Sequence, residues 1–218
     1  QHGLRQMYDE NQNVFYYITL MNENYSHPDM PDGCQDHIIK GMYLLKPLAG
    51  KGKHQIRLLG SGAILREVEA AVELLAGFDV DAEVYSATSF NELRRDGQST
   101  SRYNMLHPIT KVPRVSHVEF LLGGSDAPVV AATDHMQLYS EQVRPYLGKT
   151  TYVTLGTDGF GRSDSRKKLR EHFEVDRRFV TVAALSALAT DGKIEPKVVA
   201  KAIKDLGIDP DRLDPVSL

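Results

Sequence analysis

The chain has 218 residues, with 26 Lys and Arg against 29 Asp and Glu, and its formal net charge of −3 supplies no general field for nucleic acid or an anionic membrane. At 41% hydrophobic and 25% charged residues it can bury a substantial core, as one ordinary domain plus an appendage or as two small units. No apolar stretch reaches membrane length and the N-terminus lacks a charged-then-apolar signal layout; the single Cys34 excludes an internal disulfide, which suits a reducing cytoplasm.

Residues 4–8 read as a helix end, and Val14-Phe-Tyr-Tyr-Ile-Thr-Leu20 as a strand buried on both faces, with its aromatics in a core. Residues 25–33, with two prolines and a glycine, and 47–53, with Gly50 and Gly52, read as loops. The main domain boundary is therefore expected between Asn24 and Gly52. Beyond it strands and helices alternate as in a parallel α/β domain. Strands are expected at 55–59, 82–86, 128–132 and 151–155. The helix over 64–76 carries an apolar stripe of Leu65, Val68, Val72 and Leu75. A short helix over 90–95 is expected to end near Gly97. A helical turn over 116–122 is closed by Gly123-Gly124, and a helix over 135–143 stops before Pro145. Two helices finish the chain: 177–189 with Gly192 as stop, then 196–206 with Pro196 in its first turn and Gly207 past its last. There is no internal repeat and no low-complexity segment.

The densest motif is Leu155-Gly-Thr-Asp-Gly-Phe-Gly-Arg-Ser-Asp-Ser-Arg166, directly after the strand-like Thr151-Tyr-Val-Thr-Leu155. Its three glycines imply positive φ or a close approach to another surface. Ser163 or Asp164 is placed to cap the helix that continues through Lys167-Lys-Leu-Arg170. Strand, Gly-rich turn and helix start together aim several N–H groups one way, which suits an anion or a domain contact. The candidate residues are Gly156, Asp158, Gly159, Phe160, Gly161, Arg162, Ser163 and Arg166. The plainer reading is a strand-to-helix turn with a solvated charged rim.

Other patterns are weaker. Gly60-Ser-Gly62 opens a helix, with Asp81 or Glu83 about twenty residues on as a ribose-binding acid would be. Leu65 occupies the third glycine position, so a tight turn without a phosphate is the simpler account. His27, Cys34, Asp36 and His37 resemble part of a zinc site, but only one Cys/His pair is present where structural zinc uses two. Arg94, Arg95 and Arg102 suit either an anion or a solvated helix end. His107-Pro108 reads as a turn that buries Met105 and Leu106. No nucleophile elbow, H-E-x-x-H or P-loop occurs.

Several long strings carry a family resemblance: the 155–166 motif with Leu169-Arg-Glu-His-Phe-Glu-Val-Asp176 after it, Phe15-Tyr-Tyr-Ile-Thr-Leu-Met-Asn-Glu-Asn-Tyr25, Leu58-Leu-Gly-Ser-Gly-Ala-Ile-Leu-Arg66, Asn104-Met-Leu-His-Pro108 and Val130-Ala-Ala-Thr-Asp134. From about Gly3 to about Ile208 the chain resembles the C-terminal region of the homodimeric, bacterial-type pyruvate dehydrogenase first-component family, within the transketolase-like superfamily. That resemblance implies an α/β fold with a mostly parallel sheet, helices on both faces and one antiparallel edge strand. It divides the chain into the tail of a pyrimidine-binding middle domain (1–24), a linker (25–53) and a transketolase C-terminal-type domain (54–218). With no methionine before Gln1, the chain is expected to be a piece of a longer polypeptide. That parent is implied to decarboxylate pyruvate on thiamine diphosphate with Mg²⁺, and to acetylate reductively the lipoyl group of the dihydrolipoyl acetyltransferase component. Its implied partners are a second, identical subunit and the remaining domains.

The family holds its cofactor through a G-D-G motif followed downstream by paired asparagines, together with a glutamate beside the pyrimidine ring. This chain has no such set. Asp158-Gly159 has no downstream Asn-Asn, and Asp158, Asp164 and Glu174 lack the right companions. No catalytic, cofactor-binding or metal residue is therefore expected here, and the region is expected to be inactive alone and to serve structure and dimerisation. The alternative from another class is a free-standing nucleotide-binding or protein-interaction module.

Overall fold

A computed structural model of the chain describes residues 1–21 and 24–217. Asn22 and Glu23, within the 15–25 string, and Leu218, at the end of the 54–218 span, lie outside the described residues. The chain divides into two compact units, Gln1–Met30 and Pro31–Leu218.

In the first unit, helix α1 (His2–Leu4) runs into a π-turn at Arg5–Asp9. The run from Val14 to Leu20 is not the buried strand its composition suggests. Phe15, Tyr17, Ile18 and Leu20 are all more than two-thirds exposed, at 88%, 87%, 71% and 88%. A strand needs a neighbour for its N–H and C=O groups, and the described residues of this unit contain no other strand. β-rich composition alone does not supply that partner.

The second unit is built on five strands: β1 (Met42–Lys46), β2 (His54–Gly60), β3 (Val80–Ala87), β4 (Val129–Ala132) and β5 (Tyr152–Leu155). Their order is β1-β3-β2-β4-β5; β1 is antiparallel to β3 and the remaining pairs are parallel. The expected α/β class therefore holds. The antiparallel edge strand is β1, which falls inside the 25–53 span read as linker, as does helix α2 (Gln35–Ile39).

The other helices are α3 (Leu65–Ala76), α4 (Phe90–Leu106), α5 (His117–Leu122), α6 (Gln137–Glu141), α7 (Arg166–His172), α8 (Arg177–Thr190) and α9 (Pro196–Asp205). Strand side chains alternate between two cores. Leu58, Val84 and Val130 face α3 and α8 with Val68, Leu75 and Leu185. Leu59, Tyr85 and Ala131 face α4 and α5 with Leu93, Val118 and Leu122. Leu58 and Leu59 are both fully buried, each contributing about 1.5–3 kcal/mol, so a charge at either position would break one layer.

Arg57 also points into the α5 side and is almost wholly buried. Its guanidinium donates to the carbonyls of Ala127 (Nε, 3.1 Å), Ser125 (3.2 Å) and Leu122, which satisfies both the cation and the end of α5. Burial lowers its pKa from the ordinary arginine value, against the opposing pull of Tyr85, Glu83 and Asp126.

Three local expectations change. Helix α4 does not stop at Gly97 but continues to Leu106, because Gly97 leaves space for the Tyr146 ring. Arg94, Arg95 and Arg102 thus lie along a helix rather than at its end, and Arg95 pairs with Glu92 at 2.7 Å. Met105 and Leu106 are exposed, not buried, while His107 stacks on Tyr103 at 4.0 Å. The 135–143 helix is only α6, followed by a 3₁₀ turn at Arg144–Tyr146.

Candidate functional site

The chain leaves β2 for β3 on one side and, after crossing back, runs from β4 to β5 on the other. A crevice therefore opens at the carboxyl ends of β2 and β4, where open α/β sheets place ligands. Three loops meet there: Gly60-Ser61-Gly62 after β2, Thr133-Asp134 after β4, and the Gly-rich loop after β5. Beside them lies an open cavity of about 360 Å³, lined by Ala63 and Ile64 just past the first loop, by Asp134, and by the Gly-rich loop with the helix after it. Ile64, Leu169, Phe173 and Val175 give it an apolar floor, and Asp134 and Arg162 border it with charge.

The β4 and β5 loops are joined by their own hydrogen bonds. Thr157 N–H donates to the His135 carbonyl (2.9 Å), and its hydroxyl donates to the Asp134 carbonyl (2.8 Å). Gln137 N–H donates to the Asp158 carboxylate at 2.9 Å. Both glycine-bearing turns are constrained by neighbours. Gly62 has φ of +55°, and a Cβ there would stand 2.6 Å from Asp134 Oδ1. Gly159 has φ of +97°, and a Cβ there would stand 2.8 Å from the carbonyl oxygen of Pro215.

The structure brings part of the sequence motif to this cavity. Gly159, Gly161, Arg162 and Arg166 line it. Gly156 lies against the backbone of His135 and Gln137, and Asp158 is committed to Gln137 N–H. Phe160 is 77% exposed. Ser163 and Asp164 do not cap α7; Ser165 does, accepting from Lys168 N–H at 3.4 Å, while Asp164 accepts from Ser165 N–H at 2.6 Å. Gly161 has neither positive φ nor a neighbour within Cβ reach, so of the three motif glycines only Gly156, by its close approach, and Gly159, by both its φ and its contact, need to be glycine on those grounds. Asp134, Leu169 and Phe173 fall in the strings that carry the family resemblance, but the sequence does not mark them as candidate site residues. The signal for Asp134 is its place just past the apolar run of β4.

Behind the cavity, the buried Glu67 of α3 accepts from Arg177 Nε at 2.9 Å and from Arg170 at 3.1 Å. Burial by itself would raise the Glu67 pKa, but the bonds from Arg177 and the charge of Arg170 outweigh it and hold the group below the ordinary value. Glu174, at φ +59° beside Arg212, has its pKa raised, chiefly by burial.

The weaker patterns resolve as packing. A Cβ on Gly60 would stand 2.7 Å from Leu65 Cα, so Gly60 lets the strand and its helix approach. The Asp81 carboxylate accepts from Ala49 and Gly50 N–H (3.0 and 2.6 Å), and Glu83 accepts from Tyr85 (3.0 Å), so both acids are used elsewhere. Cys34 is buried, and His37 stacks on Phe120 at 5.9 Å and lies 5.1 Å from the His117 ring. Among the described residues, no three His, Cys, Asp or Glu side chains converge as metal ligands.

Comparison with known proteins adds to this geometry. The model of the transketolase-like TK C-terminal domain matches residues 41–176, and that of the pyruvate dehydrogenase E1 component middle domain matches residues 1–28. The pyruvate dehydrogenase E1 components of Pseudomonas aeruginosa and Escherichia coli are 58% and 54% identical to the chain over 215 residues, which is 98% of this chain. The chain spans 24% of the length of these relatives. Among solved structures, the transketolase of Leishmania mexicana overlaps 73% of this chain and 20% of its own, with TM-score 0.48 and 17% identity.

Proposed function

The chain belongs to the transketolase-like C-terminal domain family, and from that premise we propose that it is the C-terminal region of a pyruvate dehydrogenase E1 component. The whole polypeptide would decarboxylate pyruvate on thiamine diphosphate with Mg²⁺ and pass the acetyl unit reductively to the lipoyl group of a dihydrolipoyl acetyltransferase. It would act as a homodimer in the cytoplasm. The observation that carries this reading is the likeness to E1 components, which runs through both units of the chain. Among the described residues, no helix is long and apolar enough to cross a membrane.

In this reading the region serves assembly and the chemistry belongs to the rest of the polypeptide. A Mg²⁺–diphosphate site needs converging oxygen ligands. The acids near the Gly-rich loop do not converge: Asp158 holds Gln137 N–H, Asp164 holds Ser165 N–H, and Glu174 pairs with Arg212. These residues do not fit the cofactor, so no catalytic step is assigned to them. A role in contact is supported by the exposed apolar side chains around the end of α4 and along α5, among them Met105, Ile109, Val112, Val115 and Phe120.

The test is an assay of the full-length polypeptide with thiamine diphosphate and Mg²⁺ against a panel of 2-oxo acids. Pyruvate-dependent reduction of an artificial electron acceptor, and acetylation of a lipoyl domain, are expected. Turnover of another 2-oxo acid in preference to pyruvate, or of none, would overturn the reading.

A further inference from the structure

We propose that the cavity at the carboxyl ends of β2, β4 and β5 is a binding site for a small zwitterion, an α-amino acid with an apolar side chain. The inference stands apart from the decarboxylation reading and rests on three properties of the cavity. Its position is the crevice where the chain reverses direction across the sheet, the common ligand position in such folds. Its volume, about 360 Å³, lies within the range of small-molecule pockets. Its walls are fixed in advance by the Thr157–His135, Thr157–Asp134 and Gln137–Asp158 hydrogen bonds and by the Gly159–Pro215 contact.

The lining then selects the ligand. Ile64, Leu169, Phe173 and Val175 offer a surface for an apolar body. Asp134 and Arg162 border the same cavity, yet neither side chain forms a hydrogen bond or ion pair with any described residue, including each other. Arg166 and Arg170 also line it, but both already have partners, and Arg170 is bound to Glu67 at 3.1 Å. The uncommitted charges are thus one carboxylate and one guanidinium. A simple anion would face repulsion from Asp134, a simple cation would face repulsion from Arg162, and a neutral apolar molecule would desolvate both without return. A molecule carrying an ammonium and a carboxylate on a small apolar body satisfies both groups together.

Isothermal titration of the full-length polypeptide tests this with four probes: L-leucine, 4-methylpentanoate (no ammonium), 3-methylbutylamine (no carboxylate) and glycine (no apolar body). Leucine is expected to bind at least about tenfold more tightly than each of the other three, because each lacks one of the contacts. Arg162→Gln should weaken leucine to the level of the amine, Asp134→Asn to the level of the carboxylate, and Arg162→Lys should recover part of the loss. Both positions are exposed, so the thermal midpoint should not move. Should either variant misfold, the order of the four probes on the unaltered protein still decides. Equal binding of leucine and 4-methylpentanoate, absence of leucine binding, or leucine binding unchanged in both folded variants would overturn the proposal.

Discussion

Glu67 and Arg177, 110 residues apart in sequence, meet through a 2.9 Å bond between the carboxylate and Arg177 Nε. With Arg170 on the same carboxylate, one nearly buried acid ties α3 to α7 and to the start of α8. It thereby holds the helix that carries Leu169 under the floor of the cavity.

Glu67→Gln keeps the shape but removes the charge that balances the two arginines. Chemical denaturation should show a loss of about 1–3 kcal/mol. The pH profile follows from the sign of the shift. Because the folded pKa lies below the ordinary 4.5, the stabilisation is full above the unfolded value and is lost as pH falls through the depressed folded one. The acid limb of stability should therefore be shallower in Glu67→Gln than in the unaltered chain. Superimposable acid limbs would show that the pair contributes nothing to folding.

Gly97→Ala tests a conflict between propensity and packing. Alanine in the middle of a helix normally stabilises by about 1 kcal/mol relative to glycine. Here the added methyl would meet the Tyr146 ring, and overpacking costs about 1–3 kcal/mol. Net destabilisation is expected, with part of it recovered when Tyr146→Leu is added. A more stable Gly97→Ala protein would mean that the ring moves aside freely.

The two glycines of the G-F-G step should respond differently. Gly159→Val meets both a φ of +97° and the Pro215 carbonyl, and should cost about 1–3 kcal/mol while loosening the C-terminal segment. Gly161→Val meets neither and should be tolerated. Hydrogen exchange at residues 209–217 is the direct readout; equal protection in both variants would remove the role assigned to Gly159.

What the sequence made legible was what periodicity controls. Leu58-Leu59 and Val129-Val-Ala-Ala132 read as strands because they are short apolar runs buried on both faces, and the Leu65–Leu75 stripe read as a helix because its apolar residues recur at helical spacing on one face. Edges and long-range partners were not legible. Met42-Tyr-Leu-Leu-Lys46 is short, lies between loops and pairs on one side, so nothing in its pattern separates it from linker. Gly97 resembled a stop because the Tyr146 ring that requires it is distant in sequence. The cavity likewise depends on Asp134 and Phe173, which only the sheet topology brings together with the Gly-rich loop.

Assembly of the whole polypeptide should depend on the apolar surface around the end of α4. Ile109 and Val112 are 94% and 78% exposed, so replacing both with aspartate should leave the fold intact. If this surface is a subunit contact, the double variant should shift light scattering of the full-length protein from dimer toward monomer. An unchanged dimer at low concentration would move the contact elsewhere.

Thiamine diphosphate should bind only to the whole polypeptide. Diphosphate capture needs a metal held by several oxygen ligands, and activation of the thiazolium needs a carboxyl beside the aminopyrimidine. Asp158 accepts the Gln137 N–H from the segment after β4, Asp164 accepts the Ser165 N–H within its own turn, and Glu174 is paired with Arg212 at 3.0 Å. Recruiting any of them to Mg²⁺ would break a bond that shapes the loop or the corner after α7. Titration of this chain with thiamine diphosphate, with and without Mg²⁺, should therefore give no metal-dependent heat, whereas the full-length polypeptide should give it. Micromolar, Mg²⁺-dependent binding to this chain alone would relocate the cofactor site into the second unit.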